Sequence, residues 1–90
     1  MFLLKFIGTL FKEVILQMRD ESYNKEVGMR ILRMRDIRGY SREYVAERAD
    51  ISTRFLYEIE AGKKTFTAKV ARDLSYALEI NADYLLKGDS

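Results

Sequence analysis

The feature that most constrains this chain is residues 41–64, SREYVAERADISTRFLYEIEAGKK. Ser41 and Ser52 each stand ahead of a short helical run, where a serine side chain accepts from the first free backbone N–H groups of a helix. The runs extend over about Arg42 to Ala49 and Thr53 to Ala61, with only Asp50, Ile51 and Ser52 between them. A connection this short makes the two helices cross steeply and closely. Close crossing needs a small residue on the first helix, and Ala46 stands there. Val45, Ala46, Ala49, Ile51, Leu56 and Ile59 point inward at helical spacing. Thr53, Arg54, Tyr57 and Glu58 are left on the outer side of the second helix, clear of the body.

Helical spacing continues on both sides and nothing alternates like a strand, so the fold is all-α. A helix is expected from about Glu26 to Arg38, with Val27, Ile31 and Met34 inward and Gly39 as its left-handed stop. Gly62 ends the helix that Ser52 begins. Another runs from about Ala68 to Leu78, with Val70, Leu74, Ala77 and Leu78 inward. Asn81 caps a last short helix ending at Leu86, and Gly88 closes the domain. Residues 26–90 thus form a five-helix domain, with residues 1–25 ahead of it.

The 90 residues suit one small domain, and 48% hydrophobic with 33% charged residues suits a globular chain. The absence of cysteine and histidine removes disulfides, thiolate metal sites and imidazole bases. No paired carboxylates stand out either. The expectation is therefore a protein that is not an enzyme, with no catalytic residue, no metal, no cofactor and no small-molecule substrate implied. A cytoplasmic setting fits a cysteine-free chain. Net charge is only +2, so distribution matters more than sum. Arg30, Arg33, Arg35 and Arg38 face Asp36 alone, a set that reads most simply as solvated surface. In residues 41–64, Arg42, Arg48, Arg54, Lys63 and Lys64 balance Glu43, Glu47, Asp50, Glu58 and Glu60.

The first 18 residues, MFLLKFIGTLFKEVILQM, carry one apolar stripe at Leu4, Ile7, Phe11, Val14 and Met18. Lys5, Lys12, Glu13 and Arg19 lie on the other side. These charges argue against a membrane span, and no small-residue cleavage site marks a signal peptide. The stripe is expected to be a dimer interface; an added core helix, a membrane-surface helix and a site for another protein stay open, whereas the strong periodicity argues against a misread start with Met18 or Met29 as the true one. The polar run RDESYNK, residues 19–25, is a linker or a solvated continuation of the helix.

Crossed helices with the second standing proud have the geometry of a helix-turn-helix, whose second helix enters the major groove. The residues resemble the phage repressor and Cro class of helix-turn-helix DNA-binding proteins. The resemblance covers about Glu26 to Gly88, through RILRMRDIRGYS, VAERADIS, IEAGK and ALEINADYLLKG in order. It implies a repressor-like five-helix bundle, here preceded by an extra amphipathic helix, that docks its third helix on DNA as a dimer. By position it implies base reading by Thr53, Arg54, Tyr57 and Glu58, and phosphate contact by Arg42. Arg54 would pair with guanine, Glu58 would accept from cytosine, and the Thr53 methyl would pack on a thymine methyl. Lys63 and Lys64 lie where a second backbone strand would pass. Arg35 and Glu60 match a structural pair of the family. The chain departs from the family at Asp50 and Glu79, where Gly is usual, and at Phe66 and Thr67, where a proline is usual. Aspartate tolerates left-handed backbone better than most residues, so the turn survives at some cost.

The function expected is a sequence-specific double-stranded DNA-binding transcriptional regulator, most simply a homodimeric repressor. Two alternatives use the same bundle: the antitoxin half of a toxin–antitoxin pair, its N-terminal helix covering the toxin, or a protein-interaction module without DNA.

Overall fold

The computed structural model describes residues 21–88, all of them helical or in short connections. Residues 21–38 are helical (α1), followed by α2 (Arg42–Arg48), α3 (Thr53–Glu60), α4 (Ala68–Leu78) and α5 (Ala82–Lys87). Residues 21–25 thus continue α1 rather than link to it. Among the described residues no helix is long and apolar enough to cross a membrane. The apolar stripe of the first 18 residues lies outside them.

Each helix after α1 starts on a polar cap. The side chains of Ser41, Ser52, Thr67 and Asn81 accept from the backbone N–H groups of Tyr44, Phe55, Val70 and Asp83. Thr67 thus supplies a cap where the family's proline would have supplied a fixed backbone angle. The first four helices end alike. Gly39, Asp50, Gly62 and Glu79 all take positive φ. The N–H of each returns to a carbonyl three residues back, and the next residue's N–H reaches five back, as in Ile51 to Ala46 at 3.0 Å. This double bond pattern satisfies helix-end carbonyls that would otherwise be unpaired. The two positions where glycine was missing therefore keep the glycine conformation, with φ 56° at Asp50 and 59° at Glu79.

The core joins Val27 and Ile31 of α1, Val45 and Ala46 of α2, Leu56 and Ile59 of α3, and Leu74, Ala77 and Leu78 of α4. Burying each Leu or Ile side chain contributes about 1.5–3 kcal/mol. Met34, Ile51 and Val70, expected inward, are only partly buried at the edge of this cluster. Leu85 of α5 is fully buried and was not foreseen, because α5 is too short to show a period. Ala46 is buried where α2 packs on α3 and α4.

Gly28 fixes how α1 meets α3. A Cβ there would lie 2.6 Å from the Glu60 carbonyl oxygen and also against that of Ile59. Only a residue without a side chain lets α1 pass across the last turn of α3. Helix α3 is thus held by α1 at its C-terminal end and by α2 along its inner face.

Candidate nucleic-acid interface

The inner side of α3 is buried through Leu56, Ile59 and Glu60, so its outer side is fixed by elimination. Thr53, Arg54 and Tyr57 are exposed there. Glu58 is more enclosed, its side chain 21% exposed against 89% for Arg54. Arg54 Nε donates to Glu58 Oε1 at 3.2 Å. Lys64 Nζ approaches Glu58 Oε2 at 3.9 Å from the connection after α3. Arg54, Tyr57, Glu58, Lys63 and Lys64 together line one concavity on this face. The structure thus brings together three of the reading residues expected from the sequence and both lysines expected at the backbone; Thr53, the first residue of α3, does not line the concavity.

Behind this face lies a buried ion cluster. Arg35 of α1 donates from Nε to Glu60 Oε2 at 2.9 Å and from Nη2 to Oε1 at 3.2 Å. The Glu60 side chain is only 2% exposed. Burying such a carboxylate is costly unless it is paired with opposite charge and hydrogen-bonded. The hydrogen bonds that Arg35 donates to Glu60 hold its guanidinium above its ordinary pKa, against the opposing pull of burial. The third Arg35 nitrogen donates to the Tyr40 carbonyl at 3.2 Å.

Arg42, expected at phosphate, joins the same carboxylate: its Nε donates to Glu60 Oε1 at 3.0 Å. Its guanidinium carbon stands 5.3 Å from the centre of the Tyr57 ring, and Lys63 Nζ stands 5.8 Å from the same ring. Cations at this distance from an aromatic face are attracted to it. Arg42 therefore links the buried cluster to Tyr57 on the outer face.

Of the α1 arginines expected as solvated surface, Arg33 is exposed, whereas Arg38 and Arg30 reach helix ends. Arg38 donates to the carbonyls of Leu78 and Glu79 at 3.0 and 2.9 Å. Arg30 donates to that of Leu85 at 3.0 Å. Two arginines of one helix thus close the C-terminal ends of α4 and α5, where carbonyls lack partners and the dipole is negative. Sequence spacing could not reveal these bonds, which span 40 residues or more. The close approach at Gly28 was likewise hidden, since a lone glycine inside a helical pattern only lowers helix propensity and names no partner. Tyr44 and Arg48 of α2 were also unforeseen; Arg48 Nη1 donates to the Tyr44 hydroxyl at 2.8 Å. Leu4, Ile7, Phe11, Val14 and Met18, expected at a dimer interface, lie outside the described residues.

A model of the family described as a helix-turn-helix domain matches residues 28–90. Among solved structures, the restriction-modification controller protein C.AhdI from Aeromonas hydrophila aligns with a TM-score of 0.69. Identity is 22%, over 71% of this chain and 97% of that one, so the likeness is one of fold. No curated protein matches the chain.

Proposed function

The chain belongs to the helix-turn-helix domain family, a DNA-binding class of transcription regulator, and from that premise we propose that it is a sequence-specific, dimeric repressor. In this reading α3 lies in the major groove with Thr53, Arg54, Tyr57 and Glu58 toward the base edges. Lys63 and Lys64 approach phosphate just beyond it, and Arg42 reaches phosphate through whatever part of its guanidinium Glu60 leaves free. The observation that carries the reading is the two-sidedness of α3, whose inner side is buried down to a charged Glu60 while Arg54 stands almost fully open.

The dimer rests on the sequence. A stripe of Leu4, Ile7, Phe11, Val14 and Met18 is too apolar to leave in water, since exposed patches above a few hundred Å² are unusual on monomers. Pairing it with its twin covers both stripes in one two-fold contact. Two copies of α3 would then meet one face of DNA about 34 Å apart, on a roughly palindromic site. Its location would be the cytoplasm.

Selection of bound duplexes from a random pool at physiological salt tests the first part. A recurring, roughly palindromic sequence is expected, and a pool left unenriched would overturn it. Sedimentation tests the second. The full chain should be dimeric at tens of micromolar and a chain lacking residues 1–18 a folded monomer with weak half-site binding; a monomeric full chain would remove the dimer.

A further inference from the structure

Glu58 is the odd residue of the reading face. A carboxylate turned toward DNA meets phosphate repulsion, and it is tolerated only where cations neutralise it. Here Arg54 Nε holds one oxygen at 3.2 Å and Lys64 Nζ lies 3.9 Å from the other. Both oxygens are thus engaged before DNA arrives, and the side chain is largely covered. Arg54 is the reverse. Its Nε is held, while neither of its terminal nitrogens has a hydrogen-bond partner among the described residues. Those two nitrogens form the edge that pairs bidentately with O6 and N7 of guanine. An unrestrained arginine loses rotamer freedom when it docks, and one already held by Nε loses less.

We propose that Glu58 is a positioning residue that acts through Arg54: its carboxylate, steadied by Lys64, aims the free edge of the guanidinium at a guanine, and Glu58 itself reads no base. This rests on the reading of α3 as the groove helix and narrows it. Specificity then comes from Thr53, Arg54 and Tyr57, and one recognition unit spans Arg54, Glu58 and Lys64.

The test is duplex selection and titration with the full chain and four variants: Arg54→Ala, Glu58→Ala, Glu58→Gln and the double Arg54→Ala/Glu58→Ala. Arg54→Ala should lower the preference for guanine at one base pair by roughly fivefold to a hundredfold. Glu58→Ala should relax that same base pair, by about threefold or more, and add nothing in the Arg54→Ala background. Glu58→Gln keeps an oxygen for Arg54 Nε and should retain most of the guanine preference. Direct reading by Glu58 gives another pattern. Glu58→Ala would relax a different base pair, the two effects would multiply in the double variant, and Glu58→Gln would switch that pair from cytosine toward adenine. Either that pattern or an unchanged profile in Glu58→Ala would overturn the proposal. A wild-type chain that selects no sequence would instead overturn the reading beneath it. Equal melting temperatures across the set exclude a folding effect as the cause.

Discussion

Glu58 and Glu60 stand two residues apart on α3, and each lies between two cations. Glu60 is 2% exposed, with Arg35 at 2.9 Å and Arg42 at 3.0 Å. Glu58 is 21% exposed, with Arg54 at 3.2 Å and Lys64 at 3.9 Å, and Arg54 itself is almost wholly in solvent. Charge pattern alone would not separate the two. Burial does: water screens an open pair, so holding it together contributes little, whereas a buried carboxylate cannot lose a partner without standing uncompensated. One helix therefore carries a scaffold on one side and a deployable surface on the other, built from the same residue types.

The largest expected effect breaks the inner cluster. Arg35→Ala should destabilise the domain by about 3 kcal/mol, the lower end for a buried pair because Arg42 still holds Glu60. Glu58→Ala on the other side should stay within about 0.5 kcal/mol. Thermal melts of the two variants side by side decide the matter, and equal losses would erase the distinction between the faces.

Next come the contacts that aim α3. Gly28→Ala places a methyl against the carbonyls of Ile59 and Glu60, which are backbone and cannot rotate away. Ala46→Leu forces apart α2 and α3 at a fully buried position. Each should cost about 1–3 kcal/mol by overpacking. Urea titrations measure the loss, and midpoints like wild type in both would mean that the helices have slack at their crossings.

How much of this was readable depended on distance along the chain. Ser41, Ser52 and Asn81 act on residues two or three away, so the sequence shows them directly, and the starts of α2, α3 and α5 follow. Gly39 and Gly62 end helices where expected, because left-handed backbone favours one residue type. The outer side of α3 was legible as what the apolar positions leave over. What stayed hidden joins distant segments. Arg42 turning to Glu60 spans 18 residues, and Arg38 closing α4 spans 40. A charged residue carries no mark of whether it faces water, phosphate or a helix end. The backward reach of α1 to residue 21 was hidden for another reason: a polar run without a breaker suits helix and linker equally.

On the outer face a smaller effect is expected from Lys63, which leans on Tyr57 and is exposed. Lys63→Ala should weaken binding about equally on all duplexes and reduce the salt slope by about one. Filter binding across a salt series checks this. A slope equal to wild type would move Lys63 from the phosphate set to the support of Tyr57, and so from the deployable side of the comparison to the scaffold side.

The same contrast between a partnered and an unpartnered acid recurs in the backbone, where the effect is smallest. Asp50 and Glu79 both hold left-handed φ, which disfavours any residue with a Cβ. Glu79 has support: its Oε2 accepts from the Tyr40 hydroxyl at 2.7 Å, and its carbonyl accepts from Arg38 at 2.9 Å. The exposed Asp50 side chain makes no hydrogen bond among the described residues. Glycine at either place relieves the strain, and it also loosens the unfolded chain. At Asp50 nothing else is lost, so Asp50→Gly should raise stability by about 0.5 kcal/mol. At Glu79 the relief is offset by the loss of an exposed hydrogen bond worth about 0.5–1 kcal/mol, and Glu79→Gly should be near neutral. Precise melts distinguish the two outcomes. If Asp50→Gly is destabilising, the aspartate supports the α2–α3 turn in a way its open position does not reveal, and exposure alone would no longer separate scaffold from surface around α3.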